Sequence, residues 1–259
     1  MLFVKFEEYL HYEKKFSSNT ISAYLRDLQS FQFFLNQRGD KISRDTNYSF
    51  IRQWIVHLSE NKYAKVSINR KIASLKSYFN FLVNIGELNS SPLKAHKNLK
   101  SSTNIVIPFS ETEIEKVFES FKFIEGNDRD KLIVELFYST GIRREELLNI
   151  KIINIDFDSH WIKILGKRDK ERIIPMLPKL SKSILNYISK YSPAQYLFES
   201  KKSKQLSSST IYRVINKYFR AVSSKVKVSP HVLRHTFATH MLNNGADINT
   251  IKELSLIHI

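Results

Sequence analysis

Apolar residues recur at helical spacing through most of the first hundred positions. Ser17, Ser18 and Asn19 offer side-chain acceptors to the free N–H groups of a helix start. Behind them Ile21, Tyr24, Leu25, Leu28, Phe31 and Leu35 share one face, and Gly39 ends the run. Phe50, Trp54, Ile55 and Leu58 predict another helix. Ile68, Ile72, Leu75, Phe79 and Leu82 form the stripe of a further one, closed by Gly86. With residues 2–14 these segments predict a bundle of four helices sharing one core over residues 1–87. Residues 88–109 are rich in Ser, Asn and Lys, contain Pro92 and lose the periodicity, so they predict a linker.

A second domain is expected over residues 110–259. Ser110 with Glu113 reads as a capping box that opens a helix over 111–122, followed by helices over 128–139 and 143–150. His160 to Leu165 is a short β-type run, residues 166–170 make a turn, and Arg172 to Pro175 return as a second strand, which predicts a hairpin. Helices over 180–190, 208–222 and 231–243 complete a mainly α chain with a small β-hairpin in its second domain.

Composition narrows the function class. Among 259 residues, 42% are apolar and 12% aromatic, which suits a packed core and excludes a disordered chain. The absence of cysteine excludes a disulfide scaffold and a Cys-ligated zinc site. No apolar run reaches the length of a membrane span and the N-terminus lacks the layout of a signal peptide, so a soluble cytoplasmic protein is expected. Lys and Arg number 41 against 25 Asp and Glu, a net charge of +16, and the first hundred residues alone carry +8. Both parts of the chain are therefore basic, which points to a polyanionic partner, although an AT-rich coding bias toward Lys also produces such a balance.

Individual residues add chemistry. On the helix around residue 70, Ser67, Arg70, Lys71, Ser74 and Ser77 fall opposite the apolar stripe. Small hydroxyls between basic residues suit close approach to a phosphate backbone, though an ordinary solvated face has the same pattern. Arg143 follows Gly141 at a helix start, with Glu146 one turn later to orient it. Lys167 sits in the hairpin turn. His231 and Arg234 are spaced to share a helical face just after Pro230. His231, His235 and His240 invite comparison with a metal site, but the glutamate of an HExxH helix is lacking, and no metal is expected.

Taken together these blocks carry a resemblance. The segments TGIRREELLNIK, ILGKRDKERIIP and SPHVLRHTFATHMLNNGADINTIKEL, in that order, resemble the tyrosine recombinases of the phage integrase family, close to its XerC/XerD branch. SSNTISAYLRDLQSFQFFL and INRKIASLKSYFNFLV resemble that branch's SAM-like core-binding domain. The likeness runs from about residue 5 to residue 253. It implies a core-binding domain followed by a catalytic domain, together clamping duplex DNA. It also implies strand cleavage by a tyrosine through a 3′-phosphotyrosyl link, with no metal, cofactor or small-molecule substrate. By motif match, Arg143 and Arg234 grip the phosphate, Lys167 protonates the leaving 5′-oxygen and His231 assists proton transfer. Glu146 is the orienter of Arg143, and His235 is structural. The family assembles as tetramers of one or two recombinases on paired DNA sites. Chromosome-dimer resolution is the expected task, with a mobile-element integrase as the alternative.

The resemblance stops after Glu253. The family continues with Leu-Gly-His-Ser and then the nucleophilic tyrosine, whereas this chain reads Leu254 to Ile259 and contains neither. That ending resembles the translation of a transposase mosaic-end adapter, on which reading the natural protein is expected to run on. The chain as written is expected to bind DNA without cleaving it. The rivals are an inactive DNA-binding remnant, a type IB topoisomerase-like enzyme, and a metal-dependent nuclease built on Asp169 and Glu171.

Overall fold

A computed structural model describes residues 2–43, 46–101, 106–166, 171–200, 204–225 and 227–249. The chain divides into two compact units, Met1–Asn104 and Ile105–Ile259.

The first unit is built from the four predicted helices. Helix α1 (Leu2–Glu8) runs on into a wider π-type turn at Tyr9–Glu13. Ser17 accepts from the Thr20 N–H and starts α2 (Ser18–Asn36). Asn47 accepts from the N–H groups of Ser49 and Phe50 and starts α3 (Tyr48–Glu60), and α4 (Lys65–Asn84) follows. The predicted stripes pack into one core around Leu28, Phe31, Trp54, Leu75 and Phe79. Helix α4 is enclosed on more than one side, because α1, α2 and α3 all lie against it, with Tyr78 edge-on to Phe6 at 5.2 Å.

That enclosure corrects the expectation for α4. Lys71 and Ser74 do not lie on a solvated face; both are buried, and a single apolar stripe underestimates how much of a central helix is covered. Both turn to the buried carboxylate of Asp27 on α2, which accepts from Lys71 Nζ at 3.2 Å, from Ser74 Oγ at 2.8 Å and from both Nη atoms of Arg70.

The stretch expected as a linker is tied down at both ends. Leu93 is fully buried in the first core, and the Asn69 side-chain amide pairs with the backbone of Leu99 through two bonds of 2.9 Å. At the other end Phe109 is buried in the second core, and its N–H donates to Thr236 Oγ1 at 2.9 Å.

In the second unit the predicted capping box of Ser110 and Glu113 opens α5 (Glu111–Ser120). Helix α6 (Asp128–Thr140) ends at Gly141 in the left-handed conformation, followed by the short α7 (Arg144–Leu148). Strand β1 (Ile155–Asp156) pairs with β2 (Trp161–Leu165), which pairs with β3 (Glu171–Pro175), all antiparallel. The hairpin is as expected, with Ile162 opposite Ile174, whereas the two-residue β1 was too short to leave a period in the sequence. Helices α8 (Pro178–Tyr191), α9 (Ser208–Val222) and α10 (Pro230–Asn243) complete the unit, two of them with proline in the first turn. Helix α10 packs on α6 and α9.

Candidate functional site

Arg143 is placed by the turn between α6 and α7. Its backbone N–H donates to Glu146 Oε2 and its Nη1 to Glu146 Oε1, both at 2.9 Å, so one carboxylate fixes the start of α7 and the direction of the guanidinium. Glu146 is 4% exposed. Its Oε2 also accepts from Arg172 Nη2 on β3 at 2.8 Å. Burial works to raise the carboxyl pKa, but the bonds and charges of Arg172 and Arg143 prevail and hold it below the ordinary glutamate range.

Arg234 enters from α10, whose start is set by Ser229 accepting from the Val232 N–H and by Pro230 in the first turn. Its Nη1 donates to the carbonyl oxygen of Gly141. Its Nη2 is buried and has no hydrogen-bond partner among the described residues. Burial, then the charges of Arg143 and Arg172, pull the guanidinium down to about 10 despite the opposing Glu146. It remains a cation at neutral pH.

Gly141 is needed on two counts. Its φ is +57°, and a Cβ there would stand 2.3 Å from Phe237 Cδ1 on α10. The glycine thus lets α10 approach closely enough for Arg234 to reach its carbonyl.

His231 lies one turn before Arg234 and is exposed. Partial desolvation, followed by the charges of His235, Lys227 and Arg234, lowers its pKa, so the imidazole is neutral at pH 7 and able to exchange a proton. His235 is half-buried beside it. His240 is turned away into the fold, with Nε2 at 2.9 Å from the Phe109 carbonyl and Nδ1 at 3.0 Å from the Tyr138 hydroxyl. Lys167, and Asp169 of the nuclease alternative, lie outside the described residues. Among the described residues no group of three His, Asp or Glu side chains is placed to hold a metal ion.

The structure therefore brings together Arg143, Glu146, Arg234 and His231, and adds Arg172, which the sequence marked only as a strand residue. Arg143 and Arg172 both bond the Glu146 carboxylate, and Arg234 stands within electrostatic reach of all three, so positive charge is in excess, while Arg234 Nη2 has no partner among the described residues. Such a cluster fits a doubly charged or tetrahedral oxyanion, which planar guanidinium groups grip through paired oxygens.

Of the residues expected to meet DNA in the first unit, Arg70 keeps half of its side chain exposed while bound to Asp27. Ser67 and Ser77 are half-buried, and Lys71 and Ser74 are buried as described above.

Comparison with known proteins fits this arrangement. The sequence model described as phage integrase family matches residues 108–255, and that described as phage integrase, N-terminal SAM-like domain, matches residues 3–86. A tyrosine recombinase of Pseudothermotoga lettingae is 34% identical over 254 residues, covering 96% of this chain and 87% of the relative. Tyrosine recombinase XerC of Pediococcus pentosaceus is 33% identical over 261 residues, with the same coverage of 96% and 87%. Among solved structures, a lambda integrase tetramer bound to a Holliday junction superposes with a TM-score of 0.76 at 16% identity, over 98% of this chain and 75% of the integrase.

Proposed function

This chain belongs to the phage integrase family, the site-specific recombinases of DNA, and from that premise we propose that the cluster of Arg143, Glu146, Arg172, His231 and Arg234 receives the scissile phosphate of duplex DNA. The observation that carries this is the buried Nη2 of Arg234, a donor without a partner among the described residues and set among cationic neighbours. A phosphate oxygen supplies the missing acceptor and the missing negative charge.

In this reading a tyrosine oxygen attacks phosphorus and forms the 3′-phosphotyrosyl bond as the bond from phosphorus to the 5′-oxygen breaks. Lys167 delivers the proton to that oxygen, and Arg143 and Arg234 hold the non-bridging oxygens as charge builds on them. Neutral His231 takes part in proton transfer at the same phosphate. Attack by a 5′-hydroxyl reverses the step, and exchange of strands follows when that hydroxyl comes from the other duplex. The nucleophile is not assigned to a described tyrosine: the hydroxyl of Tyr138 is held by His240, and that of Tyr218 donates to Asp130.

Four protomers on paired sites are the assembly we favour, supported by the fold shared with the integrase tetramer on a Holliday junction. The likeness to XerC favours chromosome-dimer resolution in the cytoplasm over the integration of a mobile element.

The test is anisotropy with a labelled duplex across a salt series, run with magnesium and with EDTA. Affinity is expected to fall steeply with salt and to be indifferent to EDTA. Salt-insensitive binding or magnesium-dependent cutting overturns the reading.

A further inference from the structure

Arg172 belongs to the cluster through Glu146, but the steps of phosphoryl transfer above give it no role of its own. It stands on β3 beside the buried Ile174, on the same face of the strand, and its side chain is 12% exposed. Its Nη2 meets Glu146 Oε2 at 2.8 Å, the same oxygen that accepts the Arg143 N–H, while Oε1 takes Arg143 Nη1.

The charge balance decides what this contact does. Glu146 is buried, and a buried carboxylate needs compensating charge and hydrogen bonds. With Arg143 as its only cationic partner, the carboxylate would draw that guanidinium into a closed ion pair and cancel its charge. Two arginines on one carboxylate leave the group net positive. The same Glu146 can then aim Arg143 without consuming it.

We propose that Arg172 is a positioning residue: by occupying Oε2 of Glu146, it keeps Arg143 oriented by that carboxylate yet available to a DNA phosphate. This rests on the phosphate-binding role proposed for the cluster. Arg172 acts here through Glu146 and Arg143.

A double-mutant cycle on duplex binding by the full chain tests it, with Arg143→Met, Arg172→Met and the two combined, and a mixed-sequence labelled duplex as probe. Arg143→Met is expected to weaken binding about tenfold, the order of one charge-assisted contact. Arg172→Met alone should weaken it comparably, and the double variant little more than Arg143→Met alone. Adding Glu146→Gln to Arg172→Met should recover part of the loss, since a neutral amide does not cancel Arg143. Thermal unfolding of each variant is recorded alongside. If Arg172→Met unfolds the chain, Arg172→Gln, which keeps a donor but no charge, replaces it in the same cycle. Equal penalties for losing Arg172 in both backgrounds overturn the proposal, because they assign it a contact or structural effect independent of Arg143. An Arg143→Met variant that binds as tightly as the parent overturns the phosphate reading of the cluster instead, and this inference with it.

Discussion

Arg234 on α10 donates to the backbone carbonyl of Gly141, which ends α6 in a left-handed conformation that no side chain shares the space to adopt. Replacing Gly141 by Ala meets two costs, a left-handed alanine and a Cβ 2.3 Å from Phe237. We expect a loss of about 2–4 kcal/mol in stability from strain and overpacking together. Urea unfolding of the second unit, followed through Trp161, checks this. Shrinking the neighbour in Gly141→Ala/Phe237→Leu should recover only the steric part. A loss well under about 1 kcal/mol in the single variant contradicts the close approach seen here.

Acid should expose the role of Glu113. Burial opposes its ionisation, but bonds from Lys225, Ser223 and the Ser110 N–H, with the charge of Lys225, hold its pKa down to about 2 against an ordinary 4.5. A carboxyl depressed in the folded state stabilises above its unfolded pKa and loses that contribution as the pH falls through the folded one. Glu113→Gln should therefore be less stable than the parent above about pH 5, with the difference shrinking between pH 4.5 and 2. Unfolding curves at several pH values that keep a constant gap would contradict the linkage.

Much of this was legible in the sequence, for reasons that can be named. The helices of the first unit declare themselves through long apolar periods and, for α2, through the polar cap at Ser17. Arg143, Glu146, His231 and Arg234 were singled out by their place at helix starts and by family resemblance, and the structure gathers them. Arg172 was not singled out, because alternation along a strand says that it shares a face with Ile174 and not that this face meets Glu146. Asp27 was hidden for the same reason: its partners lie 43 to 47 residues away, and only tertiary packing joins them. Lys71 and Ser74 misled because their neighbours along α4 say nothing about α2 lying over them.

The Asp27 network predicts a strongly non-additive pair. Asp27→Ala leaves Lys71 buried near Trp54 without its counter-charge, and should cost about 3–5 kcal/mol in the first unit. Replacing both partners by apolar residues, as in Asp27→Leu/Lys71→Met, should cost clearly less than the sum of the single changes. Trp54 fluorescence during denaturation reports this unit. Additive losses would show that Asp27 and Lys71 are independent.

Arg234 sets stability against binding. Its charge is held in a buried place beside Arg143 and Arg172, and its pKa is lowered to about 10 mainly by burial. A base depressed in the folded state costs stability at every pH below its folded pKa, so the native fold carries this cation at a penalty at pH 7. Arg234→Met removes both the penalty and the unpartnered Nη2. The melting temperature is expected to hold or rise, although the bond to the Gly141 carbonyl is lost. Duplex affinity should fall about tenfold or more, with the slope of log affinity against log salt shallower by about one phosphate contact. Calorimetry and anisotropy on the same preparation separate the two effects. A lower melting temperature with unchanged affinity would make Arg234 a structural link between α10 and Gly141 and remove it from the phosphate site. The opposite pair of results is what a charge kept for its ligand, against the interest of the fold, produces.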